Sequence, residues 1–261
     1  MTALGAAIFA GLVAIAATVA VERLGGLLGG VLASIPTTIV PAAIGFFLQG
    51  EGFEHALMAV PGGMLVNALF LFSWRYFPPR LPRVSLGVRL SCMIGLSLSV
   101  WFFAALFFLL LEKIWGGLIL SFVMLFILFG FGIWACRNNP PAPKGKNKTG
   151  ILTLLSRAAL AGIAIGISVS LSHLGAIAGI ASVFPAIFLT TMVSIWVSQG
   201  ESVQIGAVGP MMLGSGSVAV YALVALFLFP MFGVVLGAAL TWIVSLLLVS
   251  LPATLWLQRA Q

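Results

Sequence analysis

The chain has 261 residues, 62% of them hydrophobic and only 7% charged, with twelve Lys or Arg, five Glu and no Asp. So few charges cannot cover a water-soluble domain, in which about a quarter of residues are charged. The mean hydropathy of +1.24 and the 30 glycines point to helices packed in lipid, and apolar runs too long for strands and lacking period-two alternation exclude a transmembrane β-barrel.

Nine apolar stretches long enough to span a bilayer follow in chain order. The first, 3–21, has no basic residue before it and has a counterpart later in the chain, so it is expected to be retained rather than cleaved as a signal peptide. The second, 24–48, carries Ser34, Pro36, Thr37 and Thr38 near its centre and ends on Gln49, Gly50 and Glu51. The third, 55–77, has Asn67 at its centre; the fourth and fifth, 85–111 and 114–136, are almost wholly apolar. The polar run from Arg137 to Gly150, RNNPPAPKGKNKTG, then reads as a tether between two halves. The sixth to ninth stretches are 151–172, 174–198, 203–228 and 231–257. The seventh carries Ser182 and Pro185 and ends on Gln199, Gly200 and Glu201, and the eighth has Ser215 at its centre.

With nine crossings the breaks alternate between two faces. One receives Arg23, Arg75, Arg80, Arg83, Arg89, Arg137, Lys144, Lys146, Lys148, Arg157 and Arg259, and the other only Lys113. This bias predicts an outside N-terminus and a cytoplasmic C-terminus in a bacterial inner membrane. The net charge of +7 thus reads as topology rather than as a nucleic-acid surface. Trp74, Tyr76, Trp115, Trp134, Trp196 and Trp256 fall near helix ends, as an aromatic belt would. Arg89 and Arg157 lie several residues inside their helices, where snorkelling to the headgroups is expected; an anion attractant at the inner mouth is the functional alternative.

The two halves repeat. Ala14, Ile15 and Val19 recur as Ala164, Ile165 and Val169, and Leu24, Gly25 and Gly29 as Leu174, Gly175 and Gly179. Pro36 recurs as Pro185, the Gln49-Gly50-Glu51 triplet as Gln199-Gly200-Glu201, and Met64-Leu65 as Met212-Leu213. A four-helix unit returns to its starting face, so one unpaired helix between two copies inverts the second. The expected fold is an all-α polytopic membrane protein of nine transmembrane helices arranged four plus one plus four. The first repeat is 1–112, the linker helix and basic loop 113–150, and the second repeat 151–261. A competing arrangement makes 24–48 and 174–198 re-entrant, leaving seven crossings and parallel repeats.

Ser34, Ile35, Pro36 and Thr37, followed by Gly50, Glu51, Ala56 and Leu57, resemble the core of the GlpM-type small four-span bacterial inner-membrane proteins. So do Val183, Phe184 and Pro185, followed by Gly200 and Glu201. The resemblance covers about 30 residues in each half, and Ala186 stands where the first half has Thr37. It implies a fused tandem pair of such units.

Pro36 and Pro185 lie near the midpoints of their stretches. A Pro inside a helix frees the carbonyl four residues earlier, here of Leu32 and Ala181, and in lipid such a group must face protein or a wet cavity. With Ser34, Thr37, Thr38, Asn67, Ser182 and Ser215 at similar depth, the two breaks form a candidate substrate site, with Gln49, Glu51, Gln199 and Glu201 at the two entrances. No catalytic set, metal motif or cofactor motif is present, Cys92 and Cys136 read as packing residues, and the absence of Asp argues against a relay of buried acids. The expectation is a permease for a small polar or anionic solute, monomeric or homodimeric, with the lipid bilayer and a small molecule or ion as partners. A fused dual-topology-like ion channel and a non-transporting envelope accessory protein are the alternatives.

Overall fold

The computed structural model describes residues 2–24, 36–82, 84–139 and 150–259, with the backbone alone over 17–24. Ser34, Leu32, Arg83 and the lysines of the basic loop lie outside these residues. All regular structure among the described residues is helical, and six helical runs are long and apolar enough to cross a membrane.

The helix Phe53–Tyr76, α3, is the axis of the molecule. Of the most apolar window of its run, 78% is buried, against 17% for Leu86–Trp115, α4. Around α3 pack α4, α5 (Leu118–Arg137), α7 (Ala176–Ser182), α9 (Glu201–Gly214) and α10 (Gly216–Ser245). On α4 and α5 the side chains of Phe102, Phe103, Phe107, Ile119 and Phe126 stand more than half exposed. Each would cost about 1.5–3 kcal/mol in water relative to burial. Acyl chains would remove that cost, and with six apolar runs of spanning length the architecture is that of a multi-pass membrane protein.

Long-range bonds sort the helix ends into two poles. Arg75, on the last turn of α3, donates from Nη1 to the Ala135 carbonyl at 2.8 Å and from Nη2 to the Asn138 carbonyl, so α3 and α5 end together. Arg89, near the start of α4, donates to the Pro78 carbonyl at 2.8 Å. At the other pole the Ser121 hydroxyl, on the first turn of α5, donates to the Met58 carbonyl at 2.6 Å. Gly175 there lies against His55. Arg75, Arg80, Arg89 and Arg137 thus collect at one pole, whereas Lys113, on the last turn of α4, belongs to the opposite pole with Glu51, Glu54 and His55.

The helix Ala3–Leu24, α1, packs along Ile151–Ser170, α6, through glycines and alanines. A Cβ on Gly11 would meet the Ala158 carbonyl at 3.3 Å, one on Gly162 the Ala7 carbonyl at 2.8 Å, and one on Gly166 the Ala7 methyl at 3.0 Å. Residue numbers rise on one helix as they fall on the other, so the pair is antiparallel. Small residues at such a seam let dispersion act over the whole backbone, the main attraction between helices in lipid.

The last helical run, Glu201 to Arg259, doubles back. Gly237 lies against Leu228 and Phe229, a Cβ there standing 2.9 Å from the Leu228 carbonyl. A straight helix would separate these residues by more than 10 Å. The reversal is at Gly233, with φ 72°. The sequence placed the break between 228 and 231, around Pro230. The helix instead continues through that proline and turns where glycine permits a left-handed backbone.

Candidate functional site

Pro36 is not inside a helix but just ahead of one: the helix Ile39–Gln49, α2, begins after Thr38, and Pro36 is buried. Thr37 and Val40 lie with Val13, the midpoint of α1, and with Ala238 and Trp242 around a lateral groove of about 410 Å³. The first break therefore lies near mid-depth, and α2 runs from it to the acidic pole, where Phe47 meets Phe53 and Phe229 at ring-centroid distances of 5.2 and 5.5 Å.

Pro185 likewise precedes a helix, α8 (Ala186–Gln199), and separates it from α7. The expected free carbonyl was that of Ala181, but the Phe184 N–H reaches it at 3.1 Å in a tighter turn. The Val183 carbonyl instead takes its bond from across the bundle. Asn67 Nδ2 donates to it at 2.7 Å, while Trp101 Nε1 donates to Asn67 Oδ1 at 3.0 Å. Trp101 also stands edge-on to Phe184 at 5.2 Å. Asn67, midway along α3, and Trp101, midway along α4, thus hold the second break at mid-depth. An unpaired amide carbonyl there would cost several kcal/mol.

The other candidates divide. Ser182 is buried beside this junction, its hydroxyl donating to the Gly179 carbonyl at 2.7 Å. Ser215 lies between α9 and α10 and donates to the Met212 carbonyl at 2.7 Å, within its own chain segment. The structure brings Asn67, Ser182 and the Pro185 break together, but the described bonds do not join Ser215 or Thr37 to them. Thr38 precedes α2 without a side-chain capping bond. Among the entrance residues, Gln49 and Glu51 lie at the acidic pole and Gln199 and Glu201 at the basic one.

Glu201 forms an ion pair with Arg89, Nη2 to Oε2 at 2.8 Å, linking α9 to α4. Arg157 donates from Nη2 to the Thr191 hydroxyl at 2.9 Å, linking α6 to α8. Both arginines therefore hold partners inside the protein rather than only reaching for headgroups. Trp74 and Trp196, expected in an interfacial belt, are buried and meet edge-on at 6.0 Å.

One polar feature escaped the sequence. The returning limb after Gly233 exposes many apolar side chains, Val235, Leu247 and Leu248 among them, yet Thr241, Ser245, Ser250 and Thr254 are all buried. Their spacings are four, five and four, and the five falls in a π-helical turn, Leu246–Ser250. The extra residue keeps all four hydroxyls on the protein-facing side, whereas an α-helical turn there would rotate the last two by about 100° toward lipid. Deleting Leu247, which is exposed, restores four-residue spacing, so that variant is expected to fold with a melting temperature within about 4 °C of the parent in detergent. A much larger fall would show that the turn does not serve the stripe.

The chain matches no protein family model, no curated protein and no solved structure.

Proposed function

We propose that the chain is a bacterial inner-membrane permease of nine spans, in which two inverted four-helix repeats around α5 move a small polar or anionic solute by alternating access. The observation that carries the reading is the pair α2 and α8. Each begins after a proline near mid-depth, each is closed by a glycine at positive φ, Gly50 at 80° and Gly200 at 92°, and the two run to opposite poles. Helix N-termini carry partial positive charge, so two of them opening at the bilayer centre suit a solute with negative or hydrogen-bond-accepting groups. The antiparallel seam of α1 with α6 supports inversion, because those helices correspond in the sequence repeat. The segment 175–200 runs from His55 at one pole to Arg89 at the other, which favours a crossing over a re-entrant loop. Collection of arginines at one pole supports a cytoplasmic assignment for it. The resemblance to GlpM-type units fits the same duplication.

Cysteine labelling tests the inversion. With Cys92 and Cys136 replaced, Glu51→Cys is expected to react with an impermeant maleimide only from the periplasm and Ser198→Cys only from the cytoplasm. Reaction of both from one face would overturn the inverted arrangement. Reconstituted protein is expected to give saturable exchange flux of a small solute. Steady conductance would instead identify a channel, and absence of flux with a stably co-purifying partner an accessory protein.

A further inference from the structure

The geometry points to Arg89 as a binding site for a small hydroxylated carboxylate at the basic pole, with Glu201 holding the ligand's place in this structure. The inference rests on the permease reading and adds to it a site and a substrate class.

The ion pair reaches the surface, the Arg89 side chain being 18% exposed and that of Glu201 27%, and a ligand gains the guanidinium edge by displacing Glu201. The guanidinium lies 5.2 Å from the centre of the Trp196 ring, which holds its plane and weakens its hydration. Nη2 serves both Glu201 and the Pro78 carbonyl, while Nε is buried and has no hydrogen-bond partner. Nε and Nη2 form one edge of the guanidinium, the edge that grips a carboxylate with two parallel bonds. Glu201 fills half of it. A carboxylate free of a backbone tether can fill both positions, so exchange of one carboxylate for another conserves charge and adds a hydrogen bond.

Around Trp196, on the residues that pack with it and on the helix of Glu201, lie further unfilled polar atoms. Trp74 meets Trp196 edge-on, is fully buried, and leaves its Nε1 donor unpaired. Gln204, also fully buried, donates from Nε2 to the Trp74 carbonyl at 3.0 Å and to the Met192 sulfur at 3.3 Å, leaving Oε1 without a donor. Gln199 Oε1 is unfilled as well. Unmade bonds at buried groups are uncommon and costly. A hydroxyl, donor and acceptor at once, supplies what Trp74 Nε1 and Gln204 Oε1 each lack. A carboxylate bearing a hydroxyl on a neighbouring carbon therefore fits better than a plain carboxylate.

Titrating the full-length protein in nanodiscs with sodium lactate, sodium acetate and, as ionic-strength control, sodium chloride, and following tryptophan fluorescence, tests the site. Lactate is expected to give a saturable change that Trp196→Phe diminishes, with acetate binding about tenfold more weakly. Glu201→Gln, which removes the competing carboxylate, is expected to tighten lactate binding several-fold, and Arg89→Gln to abolish it. Arg89→Lys, which keeps the charge but lacks the two-bond edge, should restore only part. If the pair merely ties α4 to α9, Arg89→Gln and Glu201→Gln will change binding and melting temperature alike, and the proposal fails. No saturable lactate response in either the parent or Glu201→Gln also overturns it. Should Glu201→Gln not accumulate, Glu201→Ala carries the same expectation. Lactate binding without lactate flux would uphold the site and count against transport, whereas saturable flux of another solute without lactate binding would remove the site alone.

Discussion

Asn67→Ala is expected to destabilise the protein by about 2–4 kcal/mol in detergent unfolding, because it strands two buried groups at once. The Val183 carbonyl, which lost its helical partner to the Pro185 break, loses the amide that replaced it, and Trp101 Nε1 loses its acceptor. Trp101→Phe alone should cost less, and the double variant should fall short of the sum by about 0.6–2 kcal/mol, the range for a hydrogen bond between membrane helices. Additive costs would show that Trp101 and Asn67 do not act together. Asn67 therefore differs from Ser215, whose hydroxyl bonds within its own segment. Ser215→Ala should leave the melting temperature within about 2–4 °C of the parent, and any loss of uptake it causes would report on transport rather than folding.

The second large effect separates two glycines two residues apart. Gly50 and Gly52 both have positive φ, 80° and 73°. Around Gly50 a Cβ would find open space, whereas at Gly52 it would enter the Ser172 carbonyl, a backbone atom that cannot swing aside. Gly50→Ala should thus cost only its backbone strain, about 1–3 kcal/mol, since φ 80° with ψ −53° suits glycine alone. Gly52→Ala adds overpacking between α3 and the turn at Ser172 and should cost about 3–5 kcal/mol. Thermal melts of the two variants check this; equal losses would mean that the contact relaxes freely and that conformation alone decides.

Length, hydropathy and turn chemistry made much of this fold legible in advance. Gln49-Gly50-Glu51 and Gln199-Gly200-Glu201 marked helix ends because Gly supplies the φ that closes a helix, and the same pattern repeats in both halves. Pro36 and Pro185 marked breaks for an equally local reason. Their partners were not legible. Nothing within a few residues of Pro185 says that the exposed carbonyl belongs to Val183 rather than Ala181, or that Asn67, more than a hundred residues away, will meet it. Asn67 and Ser215 correspond in the proposed repeat, yet one side chain bonds across the bundle and the other back to its own chain, because packing decides where a side chain turns. The π-helical turn was equally hidden: four hydroxyls spaced four, five and four fit no helical period until one extra residue is absorbed. Trp74 and Trp196 followed the belt rule in position along their helices but not in direction, since that rule fixes depth and leaves the azimuth free.

The seam between α1 and α6 bears on how the chain is made. During synthesis α1 enters the membrane before α6, with the flat face of Ala3, Ala7 and Gly11 that fits α6 still uncovered. Ile151, the first residue of α6, follows the end of α1 by more than a hundred residues, so at 5–20 residues per second the face waits roughly 6–25 s for its partner. A ribosome that stalls at the basic loop would leave that face of α1 bare, open to lipids, chaperones or the membrane proteases that clear unpaired helices. Maturation of the first half is thus bound to completion of the second, and the assembly clock of the protein starts only when α6 emerges.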